Sequence, residues 1–457
     1  MNQSFKLRST TRSHGILKSV VLVPATTFTL LQPCLTSEVQ AALEDSPKVV
    51  LDEAWQLVNR YYVDGTFNQK DWQATRQTLL GEQYVSKQHA YSALRKALAE
   101  LDDPYTRFMS PQEFKALTTQ TSGQLSGIGI RLEQNKATNA ITVIKLLPNA
   151  PALKAGLQVG DRILAIDGNK TDVMDLKDAS SLIRGEIDTA VKLRISRAGQ
   201  NPFDLNITRD VIELPTVHTK IKQEGNNRVG YIRLLEFSAH ASEQMKTAIK
   251  ELEAQNVDGF VLDLRGNPGG LLNASIEIAE MWLNRGFIVH TVDRKGKQDD
   301  IRAHPTALTK RPLVVLVDGD SASSSEILTG ALQDNHRAKV IGTSTFGKAL
   351  VQSVHKLSDG SGVAITVSQY FTPNGTDISH KGITPDIPVK LTPEQLQTLY
   401  SDPSQLATFN DPQYMQAIRS LQQSIHSHNG KPQNSVAIPK QNRKAETVNR
   451  AQADSMK

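Results

Sequence analysis

Short apolar runs alternate with helical stretches between residues 229 and 341, and this alternation limits the possible folds more than any other feature of the sequence. The runs have the length and composition of buried strands, and helix-forming stretches separate them. The strands expected are Val229–Leu235, Phe260–Leu264, Leu313–Val317 and Val340–Ile341, and the helices are Ala241–Gln255, Ala274–Asn284 and Ser324–Gln333. A chain that alternates in this way is predicted to form a layered sheet flanked by helices.

The segment before residue 118 is helical in character. Apolar residues recur at three- and four-residue spacing from Ala42 to Arg60 and again from Tyr91 to Leu101, which predicts amphipathic helices. The phrase Leu101–Phe108 then forms a turn, because Pro104 and the residue before it both resist helix. Residues 42–117 are therefore expected to form a small helical module.

Residues 118–200 predict a compact β-rich unit. Strand-length apolar runs are set here between glycine and asparagine turns. The strands expected are Ile128–Leu132, Ile141–Leu147, Arg162–Ile166 and Val191–Ser196, with one helix near Leu176–Arg184. Several units in one chain agree with its length of 457 residues.

The amino terminus has the order of a secretory signal. Basic residues from Lys6 to Lys18 precede an apolar stretch, Ser19–Leu31, and small residues follow at Val39-Gln40-Ala41. An uncleaved membrane anchor is the alternative, but prolines and threonines make the stretch short and broken beside the about 20 apolar residues of a span. We expect residues 1–41 to be a signal peptide and the protein to be exported.

Charge and cysteine content exclude several classes of function. The net charge is +5, of which residues 1–41 carry +3 and the tail from Ser427 carries +4, so the middle of the chain is near −2. Such a body lacks the clustered basic charge that nucleic-acid binding requires. Cys34 is the only cysteine and lies in the predicted signal, so the exported protein would have no disulfide and no thiolate site.

The carboxyl-terminal tail, residues 429–457, is polar and basic. It shows no helical or strand periodicity, and this composition predicts disorder. A solvated end is one interpretation of the tail, and weak association with an anionic membrane surface is the other.

The segment Val315–Leu328 leads from an apolar strand through glycine and small residues into a helix. A turn of this kind exposes a hydroxyl group and presents backbone N–H groups at a helix start, where negative charge is stabilised. Its serines are therefore candidate nucleophiles. The alternative is that Ser323 and Glu326 form only a capping box for the helix.

Two further segments contain candidate catalytic groups. Lys348 follows a glycine-flanked turn within Gly342–Gln352, and a lysine in an apolar pocket can accept a proton from a serine hydroxyl. The turn Asp263–Gly270 contains consecutive glycines whose N–H groups can converge on an oxyanion. A solvated surface lysine and a plain connecting turn are the respective alternatives.

Together these segments resemble the carboxyl-terminal processing, or tail-specific, proteases over roughly residues 101–389. Ser-Ala-Ser-x-Ser-Glu at 321–326 and Thr-Phe-Gly-Lys-x-x-x-Gln at 345–352 match the family pattern, although Ser324 and Ala349 stand where alanine and glycine are usual. The resemblance implies a nucleophile, Ser323; a general base, Lys348; an orienting residue, Gln352; a structural or orienting aspartate, Asp334; and an oxyanion hole of Gly269 and the N–H of Ser324. Ser321, Ser324 and Ser325 remain close rivals as nucleophile.

The same resemblance identifies the β-rich unit as a circularly permuted PDZ domain of the bacterial type. Its hallmarks are the loop Ser126–Ile130 and the longer motif Pro151–Gly168. Such a loop aims N–H groups at a terminal carboxylate while a strand edge pairs with an extended peptide. The peptide-binding residues implied are Ser126, Gly127, Ile128, Gly129 and Ile130.

The fold expected is therefore multi-domain α/β. It comprises a signal, 1–41, a helical module, 42–117, a PDZ domain, 118–200, an α/β protease core, 201–428, on which the module packs, and the tail. The expected function is an exported serine endopeptidase that acts on protein or peptide substrates with free, apolar carboxyl termini. The resemblance is nearest to the cyanobacterial and chloroplast branch, which places the protein in the thylakoid lumen or a periplasm. It calls for no metal and no organic cofactor.

Two other functions fit parts of the sequence. A catalytically inactive PDZ scaffold would bind peptide tails without cutting them. A Ser-His-Asp hydrolase would need a histidine placed by the fold, for which His336 and His355 are candidates.

Overall fold

A computed structural model describes residues 46–429, so the predicted signal peptide and the tail beyond Asn429 lie outside the described residues. The first unit is helical, as its apolar spacing predicts. Its elements are α1 (Pro47–Tyr61), α2 (Trp72–Gly81), α3 (Lys87–Ala99), β1 (Arg107–Met109) and α4 (Pro111–Ser122). Within the described part of the chain, no helix is both long and apolar enough to cross a bilayer.

The second unit is a small β domain with its own core. Its elements are β2 (Gln124–Gly127), β3 (Ile130–Gln134), β4 (Ile141–Leu146), α5 (Pro151–Lys154), β5 (Arg162–Ile166), β6 (Asn169–Lys170), α6 (Leu176–Ile183), β7 (Ala190–Ser196), β8 (Phe203–Thr208) and β9 (Asp210–Glu213). The main sheet has the order β3-β4-β5-β7-β8, with β6 beside β5. Strands β2 and β9 pair separately and connect this domain to the rest of the protein.

The third unit is the α/β core that the alternation predicts. Its elements are β10 (Val217–Glu224), β11 (Asn227–Leu234), α7 (Ala241–Ala254), β12 (Gly259–Asp263), α8 (Leu272–Glu280), β13 (Phe287–Asp293), β14 (Gln298–Arg302), β15 (Leu313–Val317), α9 (Ser324–Asp334), β16 (Ala338–Gly342), β17 (Leu350–Lys356), β18 (Gly362–Phe371), β19 (Ile387–Pro388), α10 (Pro393–Ser401), a 3₁₀ turn (Pro403–Gln405) and α11 (Pro412–Asn429).

The central sheet of this core has the order β10-β11-β12-β15-β16-β19 and is parallel from β11 to β19. Every residue of β12 and β15 is buried, which explains why both read as continuous apolar runs. Helices α7, α8 and α9 cover one face, and α11 covers the other with Tyr414, Ile418 and Leu421. The loops that follow β12 and β15 therefore meet at one edge of the sheet, where ligands bind in open α/β sheets.

A second, antiparallel sheet joins the helical module to the core. Its order is β1-β18-β13-β14, with β17 also paired to β18. Strand β1 belongs to the module, and α1 and α3 pack their apolar faces over Val363 and Ile365 of β18. The turn between α3 and β1 is thereby held beside the core.

Candidate active site

The turn between β15 and α9 holds Ser323 in a conformation that non-glycine residues rarely adopt. Its φ is 55° and its ψ is −114°, and such a backbone costs about 1–3 kcal/mol. The surroundings hold it in place: the Ser323 N–H donates to Glu326 Oε2 at 2.9 Å, and the Ser323 carbonyl accepts from the Ile327 N–H at 2.9 Å. A strained turn between a strand and a helix presents the nucleophilic serine in α/β-hydrolases.

The neighbouring serines have their hydroxyls engaged with the backbone. The bonds run from Ser321 Oγ to the Leu264 carbonyl (2.9 Å), from Ser324 Oγ to the Gly270 carbonyl (3.0 Å) and from Ser325 Oγ to the Asn267 carbonyl (2.9 Å). All three rival serines are buried, whereas Ser323 is only partly buried and lines a cavity. Ser323 is thus the serine of this turn that is best placed to meet a substrate.

A cavity of about 450 Å³ opens at this turn. The predicted residues that line it are Ser323, Ser324, Gly269, Lys348 and Gln352, which come from three separate segments of the chain. Residues of helix α4 and of the turn before β1 also line it. The volume lies within the range of about 300–1,000 Å³ that is usual for ligand sites.

Lys348 is half-buried in this cavity, and its Nζ lies 4.4 Å from the centroid of the Tyr105 ring. Among residues 46–429 the ammonium group has no hydrogen-bond acceptor and no carboxylate partner. Burial lowers the pKa of Lys348, and the positive charge of Arg107 lowers it further, against the opposing charges of Asp103 and Glu326. A lysine whose neutral form is favoured in this way can accept a proton from a hydroxyl.

Glu326 is fully buried and joins the serine turn to the lysine segment. Its Oε2 accepts from the Ser323 N–H and the Lys348 N–H, each at 2.9 Å. Its Oε1 accepts from the Thr345 hydroxyl at 2.6 Å and from the Gly347 N–H at 2.7 Å. Four hydrogen bonds compensate for the cost of burying the carboxylate, and they fix the Ser323 turn and the Lys348 segment relative to each other.

The glycine turn after β12 lies directly against the serine turn. Gly269 has a φ of +100°, and a Cβ there would lie 2.9 Å from the Ser323 Cβ, so only glycine fits. Its N–H donates to Asn267 Oδ1 at 2.9 Å and is therefore engaged in this structure. The N–H groups of Ser324 and Gly270 have no acceptor within the described chain, and they are the free backbone donors at this point.

Gln352 lies in the site, whereas Asp334 lies outside it. The amide of Gln352 donates to Thr366 Oγ1 at 3.4 Å and makes no hydrogen bond to Lys348. Asp334 is the last residue of α9, which at about 1.5 Å per residue puts it roughly 16 Å along the helix from Ser323. Its carboxylate accepts the Asn374 N–H at 2.9 Å.

Neither histidine of the Ser-His-Asp alternative lines this cavity. His336 is exposed and lines a different cavity. His355 stacks on Tyr61 with ring centroids 5.3 Å apart, and its Nε2 lies 2.8 Å from Ser353 Oγ. In the described range, no three His, Cys, Asp or Glu side chains converge as metal ligands would. Lys348 remains the candidate base beside Ser323.

Three residues at this site have no signal in the sequence. Tyr105 and Arg107 come from a phrase that indicated only a turn, and nothing local shows that this turn reaches Lys348. Tyr370 of β18 donates its hydroxyl to the Lys348 carbonyl and, at 3.2 Å, to the Ser323 carbonyl. Such long-range contacts depend on the assembled sheets and leave no mark in a single sequence.

The β domain carries a separate groove of about 260 Å³, lined by β3, α6 and the loop before β3. Gly127, Ile128, Gly129 and Ile130 line it, whereas Ser126 does not. The N–H groups of Ile128 and Gly129 have no acceptor among residues 46–429. Strand β3 pairs with β4 alone in the described sheet, so its outer edge is open to an added strand.

Comparisons with known proteins identify the families of the β domain and of the α/β core. Residues 228–389 match Peptidase family S41, and residues 142–197 match the PDZ domain family. These matches define a peptidase that carries a PDZ domain, and they confirm the expected multi-domain α/β fold.

Two relatives and one solved structure match longer parts of this chain. This chain is 44% identical over 347 residues to a carboxyl-terminal-processing protease of Synechocystis sp., and the match covers 76% of this chain and 81% of the relative. It is 40% identical to carboxyl-terminal-processing peptidase 2, chloroplastic, of Arabidopsis thaliana, covering 78% and 73%. A solved photosystem II D1 C-terminal processing protease is 37% identical, covers 76% of this chain and 93% of its own, and has a TM-score of 0.47. The chain belongs to the carboxyl-terminal-processing proteases of family S41.

Proposed function

We propose that the protein is a serine endopeptidase in which Ser323 is the nucleophile and Lys348 the general base. The observation that carries this proposal is their placement: a serine in a strained turn and an unpaired, half-buried lysine line the same cavity. The neighbouring serines are bonded to the backbone, and the candidate histidines lie elsewhere.

The reaction is acyl transfer. Neutral Lys348 takes the proton of the Ser323 hydroxyl, and the serine oxygen attacks the carbonyl carbon of the scissile peptide bond. The N–H of Ser324, with that of Gly270 or of Gly269 released from Asn267, stabilises the oxyanion. The leaving amine receives the proton from Lys348, and water then hydrolyses the acyl-enzyme with the lysine again moving the proton.

The PDZ groove selects substrates by their carboxyl termini. The free N–H groups of Ile128 and Gly129 suit a terminal carboxylate, and the open edge of β3 suits an extended peptide. Apolar side chains line the groove, among them Ile130, Leu176 and Ile183. Free, apolar carboxyl termini are therefore the preferred substrates.

A peptide pair tests both parts of this proposal. An unstructured peptide with a free apolar carboxyl terminus should be cleaved by residues 42–457 at least about tenfold faster than its amidated twin, because amidation removes one charge-assisted interaction. Ser323→Ala should stop cleavage while the peptide still binds.

Equal cleavage rates for the two peptides would show that the PDZ groove does not select substrates by their carboxyl terminus. Binding without cleavage by the unmodified protein would favour the inactive scaffold.

Cleavage should increase with pH as Lys348 loses its proton. Because the charge of Arg107 lowers the pKa of Lys348, Arg107→Gln should raise that pKa and move the increase to higher pH. Arg228→Gln is a matched control, since Arg228 is exposed and lies outside the cavity. The kcat/KM profile over pH measures the shift, and identical profiles for wild type and Arg107→Gln would contradict this dependence.

The cellular setting follows from the predicted signal and from the cyanobacterial and chloroplast relatives. The protein would be exported to the thylakoid lumen or a periplasm and would process precursors that carry a carboxyl-terminal extension. The precursor of a photosystem II reaction-centre protein belongs to this substrate class.

A further inference from the structure

A second large groove lies on the core away from the catalytic cavity, with a volume of about 750 Å³. Positive charge dominates its lining: the basic residues are Arg285, Lys310, Arg337, Lys339, His336 and His428. Asp386 is the one acidic residue that lines it, and it pairs with Lys339 at 3.1 Å. The groove therefore has an excess of positive charge that no side chain in its lining balances.

Arg337 is the innermost of these basic residues. Its hydrogen bonds run to backbone carbonyls, and its guanidinium lies 5.7 Å from the centroid of the Trp282 ring. Its Nε donates to the Trp282 carbonyl at 2.9 Å, and its Nη2 donates to the carbonyls of Arg311 and Thr309 at 2.9 and 3.4 Å. No carboxylate pairs with it, and its Nη1 has no acceptor within residues 46–429. Burial lowers its pKa to about 10, so the group is still charged at neutral pH.

An anion in the groove would supply what Arg337 lacks. A partly buried guanidinium without a counter-charge is costly, and a phosphate or sulfonate oxygen on Nη1 would form a charge-assisted hydrogen bond. Lys310 and Arg285 are exposed at the same groove and have no partner in the described chain. They are free to neutralise the remaining charge of such a ligand.

The last turn of helix α11 lines this groove. Ser427 and His428 of α11 line it, and residues 430–457 follow with six Lys and Arg against two Asp and Glu. A free phosphate ion would use the groove alone and gain nothing from these charges. An anionic bilayer attracts both, because each basic residue near its surface adds to the binding.

We propose that this groove binds the headgroup of an anionic membrane lipid, with Arg337 as the inner contact, and docks the enzyme on a membrane surface. The inference is independent of the catalytic mechanism. In this proposal the bilayer is the binding partner of the basic tail, and the groove sets the orientation of the protein on the membrane surface.

Vesicle sedimentation tests the proposal on residues 42–457. Wild type should sediment with vesicles containing phosphatidylglycerol and not with pure phosphatidylcholine. Arg285→Glu with Lys310→Glu should weaken this binding by at least about 30-fold, equivalent to about 2 kcal/mol for two lost cations. Lys136→Glu with Lys177→Glu, two exposed lysines of the β domain, is the matched control and should bind like wild type.

Arg337→Lys tests the inner contact, because it keeps one charge but removes the open Nη1 donor. This variant should bind the vesicles less tightly than wild type. Its midpoint of thermal unfolding, measured in parallel, should show that the fold is kept. Binding equal to that of wild type would show that Arg337 does not contact the headgroup. Unchanged binding by the Arg285/Lys310 variant, with loss only on deletion of residues 430–457, would overturn the groove proposal. Binding of polyglutamate that depends on the groove, without vesicle binding, would assign the groove to acidic proteins instead.

Discussion

Replacing Lys348 by methionine is expected to lower kcat for peptide cleavage by about 1,000-fold or more. Methionine keeps the apolar stem that packs in the cavity but cannot accept the proton of Ser323. Lys348→Arg is the matched variant, because it keeps the positive charge but has no neutral form at working pH. Both variants should be equally inactive if proton acceptance is the role of Lys348.

The same substitution should leave the fold intact. The Lys348 ammonium group has no hydrogen bond or ion pair in the described chain, and burial disfavours its charge. Lys348→Met should therefore unfold at the wild-type temperature or slightly above it, as measured by calorimetry. An inactive variant of undiminished stability distinguishes loss of the base from loss of structure.

A double variant completes this test. If Ser323 and Lys348 take part in one proton transfer, as proposed, the variant that combines Ser323→Ala with Lys348→Met should be no slower than either single variant. Additive losses in kcat would show that the two residues act independently. Retained cleavage by Lys348→Met would contradict the dyad altogether.

The core strands could be predicted from sequence because burial on both faces leaves a simple pattern. Leu313–Val317 is buried along its whole length and has the predicted bounds. Helix α7, which covers the sheet, ends one residue before its predicted end. Helix α11 could also have been predicted, because Tyr414, Ile418, Leu421 and other apolar residues recur at helical spacing. The pattern of neighbouring residues is enough to predict such elements, and a single sequence shows that pattern.

Pairing between distant segments could not be predicted. Strand β1 is a three-residue piece whose partner, β18, lies more than 250 positions later in the chain. That pairing brings two residues to Lys348 that the sequence did not indicate: Tyr105, whose ring contacts the ammonium group, and Arg107, whose charge lowers the pKa of the lysine. Their turn has an ordinary sequence, and only the assembled sheet gives it a role.

Within the site, the motifs indicated which residues meet but not how each is bonded. Ser323, Lys348 and Gly269 meet in one cavity, yet the Gly269 N–H is bonded to Asn267. Gln352 is bonded to Thr366 rather than to the lysine. Hydrogen-bond direction in glycine turns depends on backbone torsions that residue identity leaves open.

Glu326→Gln should lower both stability and turnover. Each carboxylate oxygen accepts two hydrogen bonds, and glutamine would place an NH₂ donor against two other donors. With the residue fully buried, the free energy of unfolding should fall by about 2–4 kcal/mol. Glu277→Gln, on the exposed face of α8, is the control that should change neither quantity.

A pH profile shows whether Glu326 also acts on the lysine. Its negative charge raises the pKa of Lys348, so removing the charge should lower that pKa and move the increase in residual activity to lower pH. This shift is opposite in sign to the one expected for Arg107→Gln. A loss of activity without any shift would mean that Glu326 only holds the two segments together. A shift toward lower pH would mean that the same carboxylate both positions the lysine and sets the pH at which it becomes a base.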